Sequence, residues 1–244
     1  MTPMISSLRL IANAGTPFEN PTLYRSIVGG LQYATITRPD ISFSVNKLSQ
    51  FMSNPCQEHW VAVKRVLRYL AGTVELKLQF HRCTDLRFSA FSDSDWASDL
   101  DDRKSTTGFC VYYSSNLVSW KSSKQPTVSR SSTEAEYRAL AAVFMELIWI
   151  QNLLAELHQP CPASPTVFCD NISAVLLAYN PILHNRTKHF ELDLYFILDK
   201  VIKGSIAVTH IPSTEQVADV LTKPLSLASF NKFKSKLRLA FKPP

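Results

Sequence analysis

Four carboxylates stand at positions where they could gather around metal ions. Asp93 and Asp170 each follow an apolar stretch, Glu136 lies near the start of a long helical pattern, and Asp219 lies in a late one. Oxygen donors without Cys or His ligands at metal spacing suit hard cations such as Mg²⁺ or Mn²⁺. Without a cation, clustered carboxylates raise one another's pKa values. Two divalent ions about 3.5–4 Å apart could support in-line hydrolysis of a phosphodiester, so the set predicts metal-dependent phosphodiester chemistry.

The segment SSTEAEYRAL, residues 131–140, contains two glutamates of which one is the better functional candidate. Both Glu134 and Glu136 fit a capping box, with Ser131 and Thr133 as the respective caps. Glu134 has Arg138 four residues later, the favourable order for an exposed pair. Glu136 lies in line with an apolar stripe expected to face the core: Ala139, Leu140, Val143 and Leu147. An uncompensated carboxylate there costs several kcal/mol, so we interpret Glu136 as functional and Glu134 as a surface residue.

The aspartates also have alternative interpretations. Asp170 stands directly before NISAV and could cap the helix that follows. Asp219 is flanked by apolar residues and could simply face solvent. Asp95 is a rival to Asp93, because residues two apart on a strand share a face. The residues alone leave these alternatives open.

The elements that must position these acids follow from the hydrophobic periods. LRFSA alternates over residues 86–90, and TGFCVYYS and NLVSWKSS follow with SSN between them, which indicates a strand and a hairpin. A long helix from Thr133 to about His158 comes next, then the strand PTVFCD, two helices, the strand GSIAVTHI and the helix TEQVADVLTK. We therefore expect an α/β domain whose mixed sheet is antiparallel at first and then joined by helical crossovers.

Upstream of this domain the pattern is helical. A loose polar lead-in over residues 1 to about 19 precedes three helices. They begin near Asn20, near Pro39 and within QEHWVAVKRVLRYLAGT, and the last ends at Gly72.

The composition is globular, with a mild basic bias. The chain has 244 residues, a formal net charge of +6 and a pI of about 9.1, which is compatible with a polyanionic partner. Five scattered cysteines without a CxxC pair favour a reducing, intracellular compartment, cytoplasm or nucleus. MTPMISSLRL lacks the character of a signal peptide. Because Glu146 interrupts ALAAVFMELIWI, no apolar run approaches the length that spans a bilayer, and no membrane partner is expected.

Several long motifs resemble one family. SDSDWASDLDDRKSTTGFCVYY, VSWKSSKQPTVSRSSTEAEYRAL, CDNISAV and IPSTEQVADVLTKPL closely resemble the ribonuclease H domain of copia-type LTR-retrotransposon Pol polyproteins. The resemblance implies a ribonuclease H-like α/β fold, a five-stranded mixed sheet flanked by helices, with a D-E-D-D set of catalytic, metal-binding acids. It assigns that set to Asp93, Glu136, Asp170 and Asp219. It also implies two Mg²⁺ ions, for which Mn²⁺ can substitute, and endonucleolytic hydrolysis of the RNA strand of an RNA–DNA hybrid.

The upstream helices resemble another part of the same polyprotein. LYRSIVGGLQYATITRPDISFSVNKLSQFM and HWVAVKRVLRYLAGT look like the tail of its reverse transcriptase. We therefore expect a helical reverse-transcriptase remnant over residues 1–82, a ribonuclease H-like domain over 83–225, and a basic C-terminal helix and tail over 226–244. The polymerase motif YxDD is absent, so no polymerase activity is expected. Other segments of the Pol polyprotein are further candidate partners.

Six basic residues are candidates for contacts with nucleic-acid phosphates: Arg103, Lys104, Lys121, Lys124, Arg186 and Lys188. They could equally be solvated surface. A second function also stays open, in which the chain is a catalytically inactive or co-opted nucleic-acid-binding remnant. ADVLTK and the upstream helices argue against a third, a ribonuclease H-like transposase or integrase.

Overall fold

The computed structural model describes residues 1–12, 15–83, 85–159, 161, 163–180 and 191–241. Its strands are β1 (Leu76–Leu78), β2 (Phe88–Asp95), β3 (Thr106–Tyr113), β4 (Asn116–Lys124), β5 (Thr166–Cys169), β6 (Ala207–His210) and β7 (Leu239–Phe241). Its helices are α1 (Pro21–Ala34), α2 (Ser42–Ser49), α3 (Gln57–Ala71), α4 (Ser132–Glu156), α5 (Ile172–Tyr179), α6 (Glu191–Ile202), α7 (Asp219–Thr222) and α8 (Leu227–Lys236).

Five strands form a mixed sheet in the order β4-β3-β2-β5-β6. The pairs β2–β3 and β3–β4 are antiparallel, and the pairs β2–β5 and β5–β6 are parallel. The α/β fold class expected from the sequence, with hairpins first and helical crossovers after them, is confirmed. The arrangement leaves β2 in the centre, so the residues at its carboxyl end meet elements from both halves of the sheet.

Both faces of the sheet are buried. On β3, Phe109 and Val111 belong to a hydrophobic cluster with the inner side of α4, while Cys110 and Tyr112 belong to a second cluster on the opposite face. This follows from the alternation of side chains along a strand. The second cluster includes buried residues of α1, α2 and α3 together with Val220 of α7. The upstream helices therefore form the layer that covers the second face of the sheet. Whether residues 1–82 form a domain of their own stays a prediction.

The N-terminal strap, residues 1–12, is not the loose lead-in that its composition predicted. The Nε of Arg65 donates to the carbonyl of Thr2 at 3.0 Å, and the backbone N–H of Ala12 donates to the Asp101 carboxylate at 2.9 Å. Between these points Leu10 is buried in the second cluster. The expectation was wrong because the anchoring groups lie far away in the sequence, where no local pattern reveals them.

The last described residues pair with the upstream segment. β7 is antiparallel to β1, with Leu78 opposite Leu239 and Leu76 opposite Phe241. Phe230 of α8 is buried in the same cluster as the upstream helices. The C-terminal helix and strand therefore pack on the upstream segment.

Helix α4 combines an inner and an outer apolar side. Leu140, Phe144 and Leu147 are buried against the sheet, whereas Met145 and Trp149 are more than half exposed. By length and composition alone it is the one helix of the described chain that could cross a membrane. The expectation that no segment has this length was wrong, because a single Glu146 does not make the whole helix polar. The core helix of a soluble protein can have the same length and composition, and one side of α4 packs against the sheet.

Candidate active site

Asp93 lies near the carboxyl end of the central strand β2 and is buried. The hydroxyl of Thr222, in α7, donates to its carboxylate. Burial raises the pKa of Asp93, and Lys223 acts in the opposite direction. A carboxylate in this position needs cations or strong donors to stay ionised.

Gly108 lets α7 reach this strand. It stands opposite Asp93 on β3, and a Cβ atom there would lie 2.6 Å from Thr222 Cγ2 and 2.8 Å from Leu221 Cβ. Any larger residue would push α7 away from the sheet. Sequence reasoning missed this glycine, because its requirement comes from a contact with a helix more than one hundred positions later.

Glu136 lies in the first turns of α4, on the side that faces the sheet. It is buried, and its Oε1 accepts a hydrogen bond from the backbone N–H of Ser94 at 3.1 Å. Burial raises the pKa of Glu136 well above its usual value, and the charges of Asp93 and Asp170 raise it further. The inward orientation expected from the apolar stripe is therefore what the structure has.

Glu134 is also buried, which the sequence interpretation did not expect. Its Oε1 accepts from Arg138 at 2.7 Å, as predicted, and its Oε2 accepts from the backbone N–H of Arg130 at 2.9 Å. The pairing is correct but the exposed location was wrong, because the residues preceding α4 fold back over its first turn. Glu134 is a capping residue with its own cation.

Asp170 follows β5 and is half-buried. The helix cap after this strand is Asn171, whose Oδ1 accepts from the backbone N–H of Ala174 at 3.0 Å. Asp170 is thus not the cap that it could have been. Gln216 Nε2 lies 3.5 Å from Asp170 Oδ1 and donates to the carbonyl of Ser92 at 2.9 Å, which ties the aspartate to the central strand.

Asp219 is the first residue of α7 and is buried, so the solvent-facing alternative was wrong. Burial and the charge of Asp93 raise the pKa of Asp219 to about 7. Lys223, one turn later, places its Nζ 2.8 Å from Asp219 Oδ1 and 3.8 Å from Asp93 Oδ2. We refer to Asp93, Glu136, Asp170 and Asp219 as the acidic site.

Lys223 is the basic side chain that forms ion pairs with the acidic site in the described part of the chain. Burial lowers its pKa, but Asp93 and Asp219 outweigh this and keep the ammonium charged. The sequence interpretation did not include it. Its spacing of four residues from Asp219 was a usable signal, since such residues face each other on a helix.

Asp95 ends β2 and is half-buried, beside the acidic site. Burial raises its pKa, Lys223 lowers it and Asp93 raises it again. Asp93 is the residue of the pair whose charge acts on Glu136 and Asp219. Asp93 therefore interacts electrostatically with the other acids, and Asp95 lies beside them at the end of the strand.

The basic candidates lie in different surroundings. Arg103 and Lys104 are in the loop between β2 and β3, where Arg103 is exposed and Lys104 pairs with Asp102 at 3.4 Å. Lys121 is exposed on the edge strand β4. Lys124 forms ion pairs with acids of the same loop, and Arg186 and Lys188 lie outside the described residues. Their contacts with phosphates stay predictions.

A second acidic group, the acid loop, consists of Asp99, Asp101 and Asp102. Asp99 is buried and lies 2.8 Å from Lys47 Nζ and 2.9 Å from Lys124 Nζ. Burial acts to raise the pKa of Asp99, but hydrogen bonds from the two lysines outweigh it and hold the pKa well below its usual range. This loop therefore connects the upstream helix α2 to the sheet through charge pairs.

Comparison with known proteins gives a consistent set of relatives. The chain is 47% identical to the retrovirus-related Pol polyprotein from transposon RE2 of Arabidopsis thaliana over 243 residues, which are 100% of this chain and 17% of the relative. It is 42% identical to that from transposon TNT 1-94 of Nicotiana tabacum over 203 residues, 82% of this chain and 15% of the relative. The chain thus spans less than a fifth of either polyprotein.

Among solved structures, LC11-RNase H1 aligns with a TM-score of 0.41 and 16% identity, covering 60% of this chain and 97% of that one. No protein-family model matches the chain. The aligned stretch covers the whole chain, so it includes both the described sheet and the upstream helices. The chain belongs to the family of copia-type retrotransposon Pol polyproteins.

Proposed function

We propose that the chain acts as a ribonuclease H that hydrolyses the RNA strand of RNA–DNA hybrids endonucleolytically. The observation that carries the proposal is that the four acids of the acidic site meet at the carboxyl end of β2. Burial and the charges of neighbouring acids raise the pKa values of Asp93, Glu136 and Asp219 there. Four carboxylates that gather from separate segments, three of them with raised pKa values, are typical of a functional site. Membership of a Pol polyprotein family supports the same substrate class.

The donors fit divalent metal ions. Ligand atoms of Glu136, Cys169 and Asp170 all lie within 4.8 Å of one another. Burial raises the pKa of the Cys169 thiol, which keeps it protonated and leaves the carboxylate oxygens as donors. Oxygen donors suit Mg²⁺, with Mn²⁺ as a substitute. A divalent cation would also offset the burial and the mutual repulsion that raise the pKa values of Asp93, Glu136 and Asp219.

Asp93, Glu136 and Asp170 would hold one ion, and Asp93 with Asp219 the second. When bound, such ions would stabilise the leaving oxygen and supply a hydroxide nucleophile near neutral pH.

The chain's own donors orient these carboxylates. The backbone N–H of Ser94 fixes Glu136, the Thr222 hydroxyl fixes Asp93, and Gln216 Nε2 lies between Asp170 and the carbonyl of Ser92. Hydrogen bonds of this kind hold metal-binding side chains in position and influence their basicity. The acids are therefore placed before substrate or metal arrives.

Selectivity for hybrids would come from shape. Contacts with 2′-hydroxyls across a wide minor groove distinguish an RNA strand without reading its sequence. The exposed Lys121 and Arg103 are available for phosphate contacts, whereas Lys124 is already paired with Asp99 and Asp102. Phosphate contacts of this kind make binding depend on salt.

A direct hydrolysis assay tests the proposal. An RNA–DNA hybrid labelled on each strand is incubated with purified chain and Mg²⁺, and the products are separated on a denaturing gel. We expect internal cleavage of the RNA strand, an intact DNA strand, no cleavage of duplex DNA, and no reaction in EDTA. A sample shown to be folded by circular dichroism that leaves the hybrid intact with both Mg²⁺ and Mn²⁺ would overturn the proposal. Tight hybrid binding in that sample would favour the non-catalytic alternative.

A further inference from the structure

A cavity of about 390 Å³ lies beside the acidic site, between the N-terminal strap and the loop that joins β2 to β3. Arg9 contributes from the strap and Arg103 from the loop, while Asp95 and Pro224 lie on its wall next to the acidic site. Ligand sites of proteins commonly have volumes of about 300–1,000 Å³. The cavity is therefore large enough for a phosphate and the sugar attached to it.

The strap holds Arg9 in a defined place. Leu8 and Leu10, on either side of it, pack against the second hydrophobic cluster, and Leu10 is buried. Farther along, the N–H of Ala12 is bound by Asp101 in the same loop that carries Arg103. The strap and the loop are thus joined directly, and the two arginines line one cavity from these two segments.

The loop presents Arg103 in an unusual way. Its backbone has φ of 59°, a left-handed conformation that non-glycine residues rarely adopt. The N–H of Arg103 donates to the carbonyl of Asp99 at 3.0 Å, and the N–H of Asp99 donates to the carbonyl of Lys104 at 3.2 Å. These bonds fix the loop, so the conformation of Arg103 is held by its surroundings.

The charges lining this cavity are unbalanced. Arg9 and Arg103 are both exposed, and neither forms an ion pair with another described residue. Lys47, also on the wall, is already bound to Asp99, and Asp95 is the acid nearest to the acidic site. Two guanidinium groups that line the same cavity attract an anion into it, and guanidinium geometry matches a phosphate.

We propose that Arg9 and Arg103 form a subsite for a backbone phosphate of the nucleic-acid substrate, adjacent to the acidic site. This rests on the proposed function and extends it, because it makes the upstream segment part of the substrate-binding surface. The strap supplies one of the two charges, so the ribonuclease H sheet without residues 1–12 has an incomplete groove.

The salt dependence of hybrid binding tests this subsite. Fluorescence anisotropy measures the affinity of a labelled RNA–DNA hybrid across a KCl series with Mg²⁺ present, in a background of Asp170→Asn that prevents cleavage. We expect Arg9→Ala and Arg103→Ala each to weaken binding and to reduce the slope of log affinity against log salt by about 1, the effect of losing one phosphate contact. Arg9→Lys should keep most of the slope, because it keeps the charge.

Arg82 provides the matched control. It is an exposed arginine beside His81, whose N–H binds Asn116 at the turn between β3 and β4, at the sheet end away from Asp93. Arg82→Ala should leave the slope unchanged. If Arg9→Ala, with an unfolding temperature equal to its parent, keeps the parental slope, the subsite is wrong. An equal loss in Arg82→Ala would likewise overturn it, since general surface charge would then explain the result. Failure of the wild-type chain to bind or cleave hybrid would instead count against the proposed function.

Discussion

The acidic site and the acid loop contain similar residues but differ in charge balance. In the acid loop, Asp99 has two lysines within 2.9 Å and a pKa held below its usual range. In the acidic site, Lys223 is the one cation of the described residues that forms ion pairs with the four acids, and it pairs with Asp93 and Asp219; the pKa values of Asp93, Glu136 and Asp219 are raised. The comparison teaches that the two groups differ less in their number of acids than in the ratio of those acids to the cations that the described residues supply.

The largest expected effect separates the two groups by activity. Asp170→Asn removes a charged donor from the acidic site while keeping its shape, so hybrid hydrolysis should fall by about a thousand-fold, the equivalent of several kcal/mol of lost metal-assisted stabilisation. Initial rates of RNA cleavage at saturating Mg²⁺ measure it. The matched substitution Asp102→Asn in the acid loop should leave the rate within a factor of a few. Equal rates of RNA cleavage for Asp170→Asn and wild type would show that Asp170 has no catalytic role.

The next largest effect is expected for a substitution in the acid loop, and it concerns the free energy of unfolding. Asp99→Asn leaves Lys47 and Lys124 side by side with no buried counter-charge, so the free energy of unfolding should fall by about 3 kcal/mol. Urea unfolding followed by circular dichroism measures it. Asp85→Asn, which breaks the exposed pair with Arg87, should cost less than about 1 kcal/mol. A similarly small loss of unfolding free energy in Asp99→Asn would mean that the ion pairs of Asp99 with Lys47 and Lys124 do not stabilise the fold.

The two groups should respond to pH with opposite signs. The folded pKa of Asp219 is about 7, above its unfolded value of about 4, so the folded chain binds the extra proton and becomes less stable as pH rises between them. In EDTA, the free energy of unfolding should fall by about 2 kcal/mol from pH 5 to 8, and Asp219→Asn should flatten that slope. Asp99 has a depressed pKa, so its contribution is present above about pH 4 and is lost as pH falls below it. A wild-type stability that rises from pH 5 to 8 in EDTA would contradict the first sign.

The smallest expected effect concerns Lys223. Its ammonium sits between Asp219 and Asp93 where divalent cations would compete with it, so Lys223→Met should lower the dissociation constant for Mn²⁺ by about tenfold, a coupling of roughly 1.4 kcal/mol. Isothermal titration calorimetry measures it. Lys203→Met, which removes an exposed lysine paired with Asp199, is the control. An unchanged dissociation constant in Lys223→Met would show that the lysine does not share the acids with metal.

Much of the fold was predictable because its signals are local. Asn20 caps α1 by accepting from the N–H of Leu23 at 2.9 Å, and α3 ends at Gly72, as the sequence predicted. The alternation over Phe88 and Ala90 marked the central strand. The stripe that follows Glu136 identified the glutamate that faces the sheet, because helical spacing determines which side chains share a face.

The rest depends on contacts between distant segments. The requirement for Gly108 arises from Leu221 and Thr222, and the burial of Glu134 arises from the N–H of Arg130 and the turn before α4. The location of the strap depends on Arg65 and Asp101, and that of β7 on β1. No periodicity encodes such pairings, since each is decided by which surfaces remain uncovered after the local elements have formed. The acids could be listed from the sequence, whereas their cation Lys223 was missed although its spacing of four residues from Asp219 offered a signal.

The pairing of β1 with β7 has a consequence for how the chain folds during its synthesis on the ribosome. β1 is synthesised long before its partner, and the core formed by α1, α2 and α3 is closed by Phe230, Phe233 and Leu239 only near the end of the described chain. Contacts between distant segments slow folding, and apolar surface left open during synthesis invites aggregation. The upstream helices should therefore need protection by chaperones until translation has passed β7, and a nascent chain stalled before Leu239 should remain protease-sensitive in α1, α2 and α3.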